Sequence, residues 1–359
     1  MTAPASPSLE SPQCPLPLNR FDHIVIGHGS GGSMTSSLIR EVFQSRLGNE
    51  ILSAGNDAAL VDLIQAAGAD GRLVISTDAH IVSPLFFPGG DIGRLAVCGS
   101  VNDVAVMGAR VKYLTASFIL EEGLPLADLE RIVDSMAAAC AEAGVQLIAA
   151  DTKVTERGKS DGLFISTTGI GWAPAAVEIA GSRAQPGDVV LVSGQLGNHG
   201  IAVAQARGNL GFQSGIVSDT APLNHLIEDL LAAAPDVHCM RDATRGGLAT
   251  TLVEISQQSA VGITLEQTSI PVDAPVQAAC DLLGLDPLYL ANEGKITVIL
   301  PEKSAGAALR ALQSHPYGRA AALIGRVSAA GQPHLTMRTP LGTTRVLDML
   351  AGEMLPRIC

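Results

Sequence analysis

The sequence predicts two domains of mixed α+β structure, and three observations predict it. The chain has 359 residues, more than a single core ordinarily serves. Short apolar runs alternate with helical patterns through both halves. Between the halves, Gly171, Pro174, Gly181, Pro186 and Gly187 punctuate a stretch that reads as a linker. Hydrophobic residues make up 47% of the chain and aromatics only 3%, with 38 glycines, so the expected cores are aliphatic and joined by tight turns. The expected division is a leader over 1–20, one domain over 21–172, a second over 187–345, and a mobile tail over 346–359.

The leader is rich in Pro and Ser and too polar to fold, so disorder is expected there. Next comes a strand-like run from Phe21 into Gly27-His28-Gly29-Ser30-Gly31-Gly32, followed by a helical stretch over Ser36–Phe43. Leu73–Ser76 reads as a buried strand that empties into Thr77-Asp78. A helix starts near Asp91 and stops at Gly108. Tyr113–Leu120 is a strand. In Leu126–Ala143, Leu129, Ile132, Val133, Met136 and Cys140 fall at helical spacing, and Gly144 ends the helix. Val145–Ala150 and Leu163–Ile170 are strands. The second half repeats the rhythm: strand Val189–Val192, helices Asn198–Ala206 and Pro222–Ala234, helix Leu248–Gln257, strand Ile263–Leu265, helix Ala274–Leu283, strand Ile296–Leu300, then a helix and strands to about Met349.

A formal net charge of −12 argues against a nucleic-acid surface, which needs a basic patch. No apolar stretch is long enough to span a bilayer, and no signal peptide is expected from the N-terminal residues, which lack a charged segment followed by an apolar run. The six cysteines form no CxxC pair, and the histidines, His199 among them, form no ligand cluster. A cytoplasmic protein with free thiols is expected.

Chemistry is suggested by acids placed where strands or turns end: Asp57, Asp78, Asp151 and Asp242. Carboxylates converging on one spot repel unless a cation separates them, and hard oxygens suit Mg²⁺ shared with phosphates. Capping of a helix or turn is the other reading of each. Backbone N–H groups near His28-Gly29-Ser30-Gly31 and Thr244-Arg245-Gly246-Gly247 offer phosphate cradles. Gly27, Gly29 and Gly32 also match the dinucleotide fingerprint, which leaves a plain loop and an NAD-dependent oxidoreductase as alternatives. Lys153 and Glu293 are charged residues in apolar or Gly-rich surroundings, suited either to acid–base work or to a structural ion pair. The chain ends in Pro356-Arg357-Ile358-Cys359, either a frayed end or a carrier thiol that can swing.

The stretch Asp91 to Ala109, with Asn102 and Asp103 inside it, resembles the central helix of the superfamily of aminoimidazole ribonucleotide synthetase, selenophosphate synthetase and thiamine-phosphate kinase. His28-Gly29-Ser30-Gly31-Gly32, Phe87-Pro88-Gly89-Gly90-Asp91, Asp151-Thr152-Lys153-Val154, Asp242 to Leu248, Asp286 to Lys295 and the terminal Pro356-Arg357-Ile358-Cys359 together resemble the HypE family of carbamoyl dehydratases, over residues 21–359. The resemblance implies the two-domain aminoimidazole ribonucleotide synthetase-like fold. It implies a homodimer whose N-terminal domains pair through their sheets, with ATP bound near that interface. It also implies a reaction: the carbamoyltransferase HypF loads Cys359, Mg·ATP activates the carbamoyl oxygen, dehydration leaves a thiocyanate, and the cyano group passes to iron on a HypC–HypD complex in [NiFe]-hydrogenase maturation. In that scheme Asp57, Asp78, Asp151 and Asp242 hold metal and phosphates. His28, Gly29, Gly31, Asn102, Asp103, Thr244, Arg245, Gly246 and Gly247 line the ATP site. Lys153 and Glu293 serve as acid and base. A selenophosphate synthetase or small-molecule kinase of the same superfamily is the alternative; the former wants a reactive cysteine in the N-terminal loop, and Cys14 lies before that loop.

Overall fold

A computed structural model describes residues 21–30, 33–53, 71–208, 214–330, 332–349, 355 and 357–359. The leader, Asp57 and Gly31 therefore lie outside the described residues.

The N-terminal domain opens with a broken helical segment: α1 (Ser33–Leu38), a π-helical turn (Ile39–Gln44), α2 (Ser45–Leu47) and α3 (Glu50–Ser53). Strand β1 (Gly71–His80) and the small hairpin β2 (Phe86–Phe87) and β3 (Gly90–Asp91) follow. Helix α4 (Ile92–Ala105), β4 (Arg110–Glu121), α5 (Leu126–Ala143), β5 (Gln146–Thr155) and β6 (Leu163–Pro174) complete it. The sheet order is β1-β6-β4-β5, antiparallel except for the parallel β4–β5 pair.

Helices α4 and α5 cover one face. Asp91 caps α4, its Oδ1 accepting from the Gly93 and Arg94 amides at 2.7 and 3.0 Å. The apolar stripe of α5 is fully inside, and Gly144 closes the helix in the left-handed region at φ 67°. The helices approach closely because residue 93 is Gly; a Cβ there would stand 2.4 Å from the Ile132 carbonyl oxygen. The opposite face of the sheet is open, with Leu73 and Ile75 among its exposed side chains.

The expected strand before the Gly-rich loop does not form. Phe21–Ile26 makes a single bridge, His23 to Pro125, then a 3-10 turn over Ile26–Gly29. A dinucleotide fingerprint needs a strand feeding a helix there, so the oxidoreductase alternative loses its structural context.

The C-terminal domain contains β7 (Asp188–Val192), α6 (Asn198–Ala206), α7 (Asn224–Ala233), β8 (Cys239–Asp242), α8 (Gly247–Ser259), β9 (Gly262–Glu266), α9 (Ala274–Leu283), β10 (Ile296–Pro301), α10 (Glu302–Ser314), β11 (Ala322–Ser328), β12 (His334–Arg338) and β13 (Thr344–Leu347). They build a sheet of order β13-β12-β9-β11-β7-β10-β8. Strand β7 is buried on both faces: Val189 and Leu191 join one core, Val190 and Val192 another. The first of these cores also contains Leu95 and Val101 of α4 and Leu226 and Leu230 of α7, so the two domains share it. The stretch expected as a linker is packed, with Ile179 in one core and Ala184 in the other. Among the described residues no helix is long and apolar enough to cross a membrane.

Candidate active site

The site lies where the domains meet. In β1 the alternate residues Ser76, Asp78 and His80 face α4. Ser76 Oγ donates to Asp103 Oδ2 at 2.7 Å. His80 is buried and its Nε2 stands 3.1 Å from Asp78 Oδ2. Gly99 makes room for the pair, since a Cβ there would lie 2.8 Å from His80 Nε2 and 3.1 Å from Asp78 Oδ2. Burial works to raise the Asp78 carboxyl, but His80, the Ala79 amide and Arg245 together hold it below its ordinary range. Asp103 goes the other way, raised by burial and by Asp78. Asp242, at the end of β8, is pushed up to about 7, first by burial and then by Asp103. Mutual repulsion of this kind marks carboxylates gathered at one place.

Glu293 enters this cluster from the C-terminal domain on a tightly tied loop. Asn292 is wholly buried; its Oδ1 accepts from the Gly197 amide at 2.8 Å and its Nδ2 donates to Ala243 O and Leu290 O at 3.0 and 2.9 Å. The Glu293 amide donates to Asp219 Oδ1 at 3.2 Å. Gly294 permits this approach, because a Cβ there would fall 1.8 Å from the Asp219 carbonyl oxygen. Lys295 Nζ sits 3.1 Å from Asp219 Oδ2, with both side chains largely buried. Glu293 itself is 4% exposed, its Oε1 has no hydrogen-bond partner, and burial followed by Asp242 and Asp219 raises its carboxyl well above the ordinary glutamate range.

The C-terminal residues dock against this loop. The Ile81 amide donates to Cys359 O and the Ser83 amide to Arg357 O, both at 3.2 Å, in an antiparallel arrangement. His199 Nε2 stands 2.7 Å from Ile358 O, and Arg207 reaches Arg357 O at 2.7 Å. Ile358 is buried in the shared core. Cys359 lies beside the Glu293 carboxyl, and burial and then Glu293 push its thiol far above the ordinary thiol range, opposed by Arg245.

Asp78, Asp103, Asp242, Arg245, Glu293 and Cys359 thus form one charge-coupled neighbourhood in which each shifts, or is shifted by, at least one of the others. Gly246 and Gly247 begin α8 beside them, both at positive φ, and the Gly247 amide donates to Thr244 O at 2.9 Å. Asn102 is buried: its Oδ1 accepts from the Leu223 amide at 2.7 Å, and its Nδ2 donates to Ala221 O at 3.1 Å and reaches Glu293 O at 3.5 Å, so it ties α4 both to the loop before α7 and to the loop that bears Glu293.

A second group gathers at the β5 edge. Gly29 packs on β5, where a Cβ would meet Val154 at 2.9 Å. His28 does not reach outward from its glycines; it is buried, with Nδ1 accepting from the Val25 amide at 3.1 Å and Nε2 unpartnered. Lys153 is not the buried lysine that its neighbours suggest. It stands on the open face of the sheet, 65% exposed, paired with Asp151 Oδ2 at 2.7 Å. That partner and the Thr152 amide hold Asp151 below its ordinary range, and the acids of the cleft play no part in it. The buried lysine is Lys295, set in a Gly-rich turn before an apolar strand. Asp219, His80 and His199 were likewise missed, for no local pattern points to them.

No three Asp, Glu, His or Cys side chains among the described residues come close enough to hold an ion by themselves. The crowded carboxylates of Asp78, Asp103 and Asp242 are nonetheless suitable hard donors for a cation that takes its other ligands from phosphate and water.

Matches to known proteins follow this architecture. The model of the AIR synthase related protein N-terminal domain matches residues 55–173 and that of the C-terminal domain matches 185–338. Carbamoyl dehydratase HypE of Cupriavidus necator is 54% identical over 344 residues, covering 96% of this chain and 97% of the relative. The crystal structure of hydrogenase maturation protein HypE in complex with ATP is 48% identical with a TM-score of 0.89, covering 93% of this chain and 99% of that one. The structure of a HypE–HypF complex is 46% identical with a TM-score of 0.76, covering 88% of this chain and 100% of that one. The chain belongs to the AIR synthase related proteins and, within them, to the HypE family of carbamoyl dehydratases.

Proposed function

We propose that this protein dehydrates a carbamoyl group carried on the Cys359 sulfur to a thiocyanate, using ATP, and so supplies the cyanide ligand of a [NiFe]-hydrogenase iron. One observation carries the reading: the C-terminal residues are docked by backbone bonds to Ile81 and Ser83 and by His199, which brings Cys359 beside Glu293, a buried carboxyl next to Asp78, Asp103 and Asp242. A carbamoyl group on that sulfur would place its nitrogen and oxygen between the base and the acids. Its oxygen attacks the γ-phosphorus, the bond to ADP breaks, and a carbon–oxygen–phosphate linkage forms. The nitrogen then gives up its two protons, the carbon–oxygen bond breaks with its electrons on phosphate, and the carbon–nitrogen triple bond remains on sulfur. Glu293 suits the proton transfer because its surroundings raise its affinity for a proton, which makes the ionised form a strong base. Arg245 faces the same point and offsets negative charge there.

Mg²⁺ would be held by Asp78 and Asp242, with Asp103 beside them and Asp57 as a further donor, and would neutralise phosphate charge. The Thr244–Gly247 turn and the α8 N-terminus would receive phosphate oxygens. The β5-edge group of His28, Gly29, Asp151 and Lys153 belongs to the same site through pairing of two chains. The open sheet face supports that homodimer: Leu73 and Ile75 are 49% and 59% exposed there, beside the Tyr113–Trp172 ring pair at 5.9 Å. Pairing would carry Asp151 and Lys153 to the interface, with Lys153 as the second proton-transfer group. The similar HypE–HypF complex supports HypF as the loading partner, and a HypC–HypD complex would receive the cyano group in the cytoplasm.

Mass spectrometry of the C-terminal peptide tests this reading. With carbamoyl phosphate, HypF and Mg·ATP, Cys359 is expected to gain a carbamoyl group and then lose one water. A peptide that never changes mass, or equal ATP turnover in Cys359→Ala, sinks it.

A further inference from the structure

Histidine 199 takes no part in the chemistry described above, yet it is wholly buried and every atom that can bond is engaged. The chain of contacts fixes its tautomer. The Ile358 carbonyl can only accept, so Nε2, 2.7 Å away, carries the proton. Nδ1 must then accept, and Ser218 Oγ stands 2.8 Å from it as the donor. Ser218 Oγ in turn accepts from the Thr220 amide at 3.1 Å and meets Thr220 Oγ1 at 2.6 Å. The Phe87 ring packs edge-on against the imidazole at 5.4 Å. Between Ser218 and Thr220 lies Asp219, which accepts from the Glu293 amide. One three-residue loop therefore holds both the histidine that meets the tail and the loop that bears the acid.

We propose that His199 is a positioning residue: its Nε2–H holds the Ile358 carbonyl, and with it the docked tail, at the register that sets the Cys359 sulfur beside Glu293. Arg207 assists, donating to Ser83 O at 2.8 Å and to Arg357 O at 2.7 Å, but these bonds lie nearer the surface and grip the residue before. The hydrogen bond from His199 is enclosed and directed at the carbonyl adjoining Cys359, so it sets the thiol's place more tightly. The role rests on the reading of Cys359 as the carrier thiol, but its test does not.

Alkylation of Cys359 by iodoacetamide, followed in the C-terminal peptide of the full chain, reports the docked fraction whatever the reaction. His199→Ala is expected to raise that rate about tenfold, the worth of one enclosed hydrogen bond, while His199→Gln, whose amide can still donate to Ile358 O, stays within about twofold of wild type. Ser218→Ala, which leaves the ring but frees it to rotate, is expected to fall between them and carries the test if His199→Ala does not fold. In the coupled reaction, His199→Ala should load carbamoyl normally and dehydrate about tenfold more slowly. Alkylation rates unchanged in both His199→Ala and Ser218→Ala, or His199→Gln as fast as His199→Ala, would overturn the assignment. A wild-type chain that alkylates slowly but never forms thiocyanate would instead refute the proposed reaction and leave the latch standing.

Discussion

Two lysine–aspartate pairs in this molecule teach opposite lessons. Lys153 and Asp151 lie two residues apart on β5, 2.7 Å from each other and each 65% exposed. Lys295 and Asp219 come from distant parts of the chain, 3.1 Å apart, at 12% and 7% exposure. The first pair is local, wet and adds little to folding. The second is enclosed, so neither partner can lose the other cheaply. The chemical assignment runs the other way: the exposed lysine is the candidate for proton transfer at a paired surface, and the enclosed one anchors the loop that bears Glu293.

Substitutions can break this contrast. Lys295→Ala is expected to have the largest effect, since it strands the Asp219 carboxylate; a loss of about 3–5 kcal/mol in urea unfolding is expected. Gly294→Ala comes next. The added Cβ meets the Asp219 carbonyl oxygen at 1.8 Å, so the loop must shift, at a cost of about 1–3 kcal/mol, and dehydration should fall with it. Glu293→Gln is smaller in stability and visible in its pH dependence. A carboxyl whose folded pKa is raised binds its proton more tightly folded than unfolded, so stability is greatest at low pH and declines as pH rises above the ordinary glutamate range. The glutamine variant should lack that decline, and a parallel decline in thermal melts of both chains would place the titrating group elsewhere. Lys153→Ala should change stability by only about 0–1 kcal/mol, yet slow dehydration of loaded Cys359 about a hundredfold. If it leaves turnover intact, the contrast is false and the β5 edge is plain surface.

Much of this architecture was legible in the sequence where structure is local. The stripe on Leu126–Ala143 and its Gly144 stop gave α5 with its boundaries intact, because periodicity and a left-handed cap act over a few residues. Asp78 could be singled out because it follows an apolar run, and Asp242 because it sits just before a helix. Burial was less readable. Lys153 sits among Val and Thr and looks enclosed, but its strand turns one side toward open sheet. Lys295 looks similar and is enclosed because Gly194 admits its stem: a Cβ there would lie 2.8 Å from Lys295 Cε. Asn102 and Asp103 adjoin on α4, and a helix points neighbours about 100° apart, so Asp103 meets Ser76 among the acids while Asn102 ties the backbone of the loops bearing Ala221 and Glu293. Asp219 and His199 left no signal, since their partners are far off in sequence.

The docked thiol has a consequence for storage as well as for chemistry. Held protonated by burial and by Glu293, Cys359 is a poor nucleophile where it rests. The thiolate is the form that attacks peroxide and adventitious electrophiles, so the same enclosure slows damage to the one sulfur the reaction depends on. On the proposed reaction, the tail is expected to leave the pocket to be loaded and to return to react. Between cycles the idle enzyme keeps its most vulnerable atom sheathed.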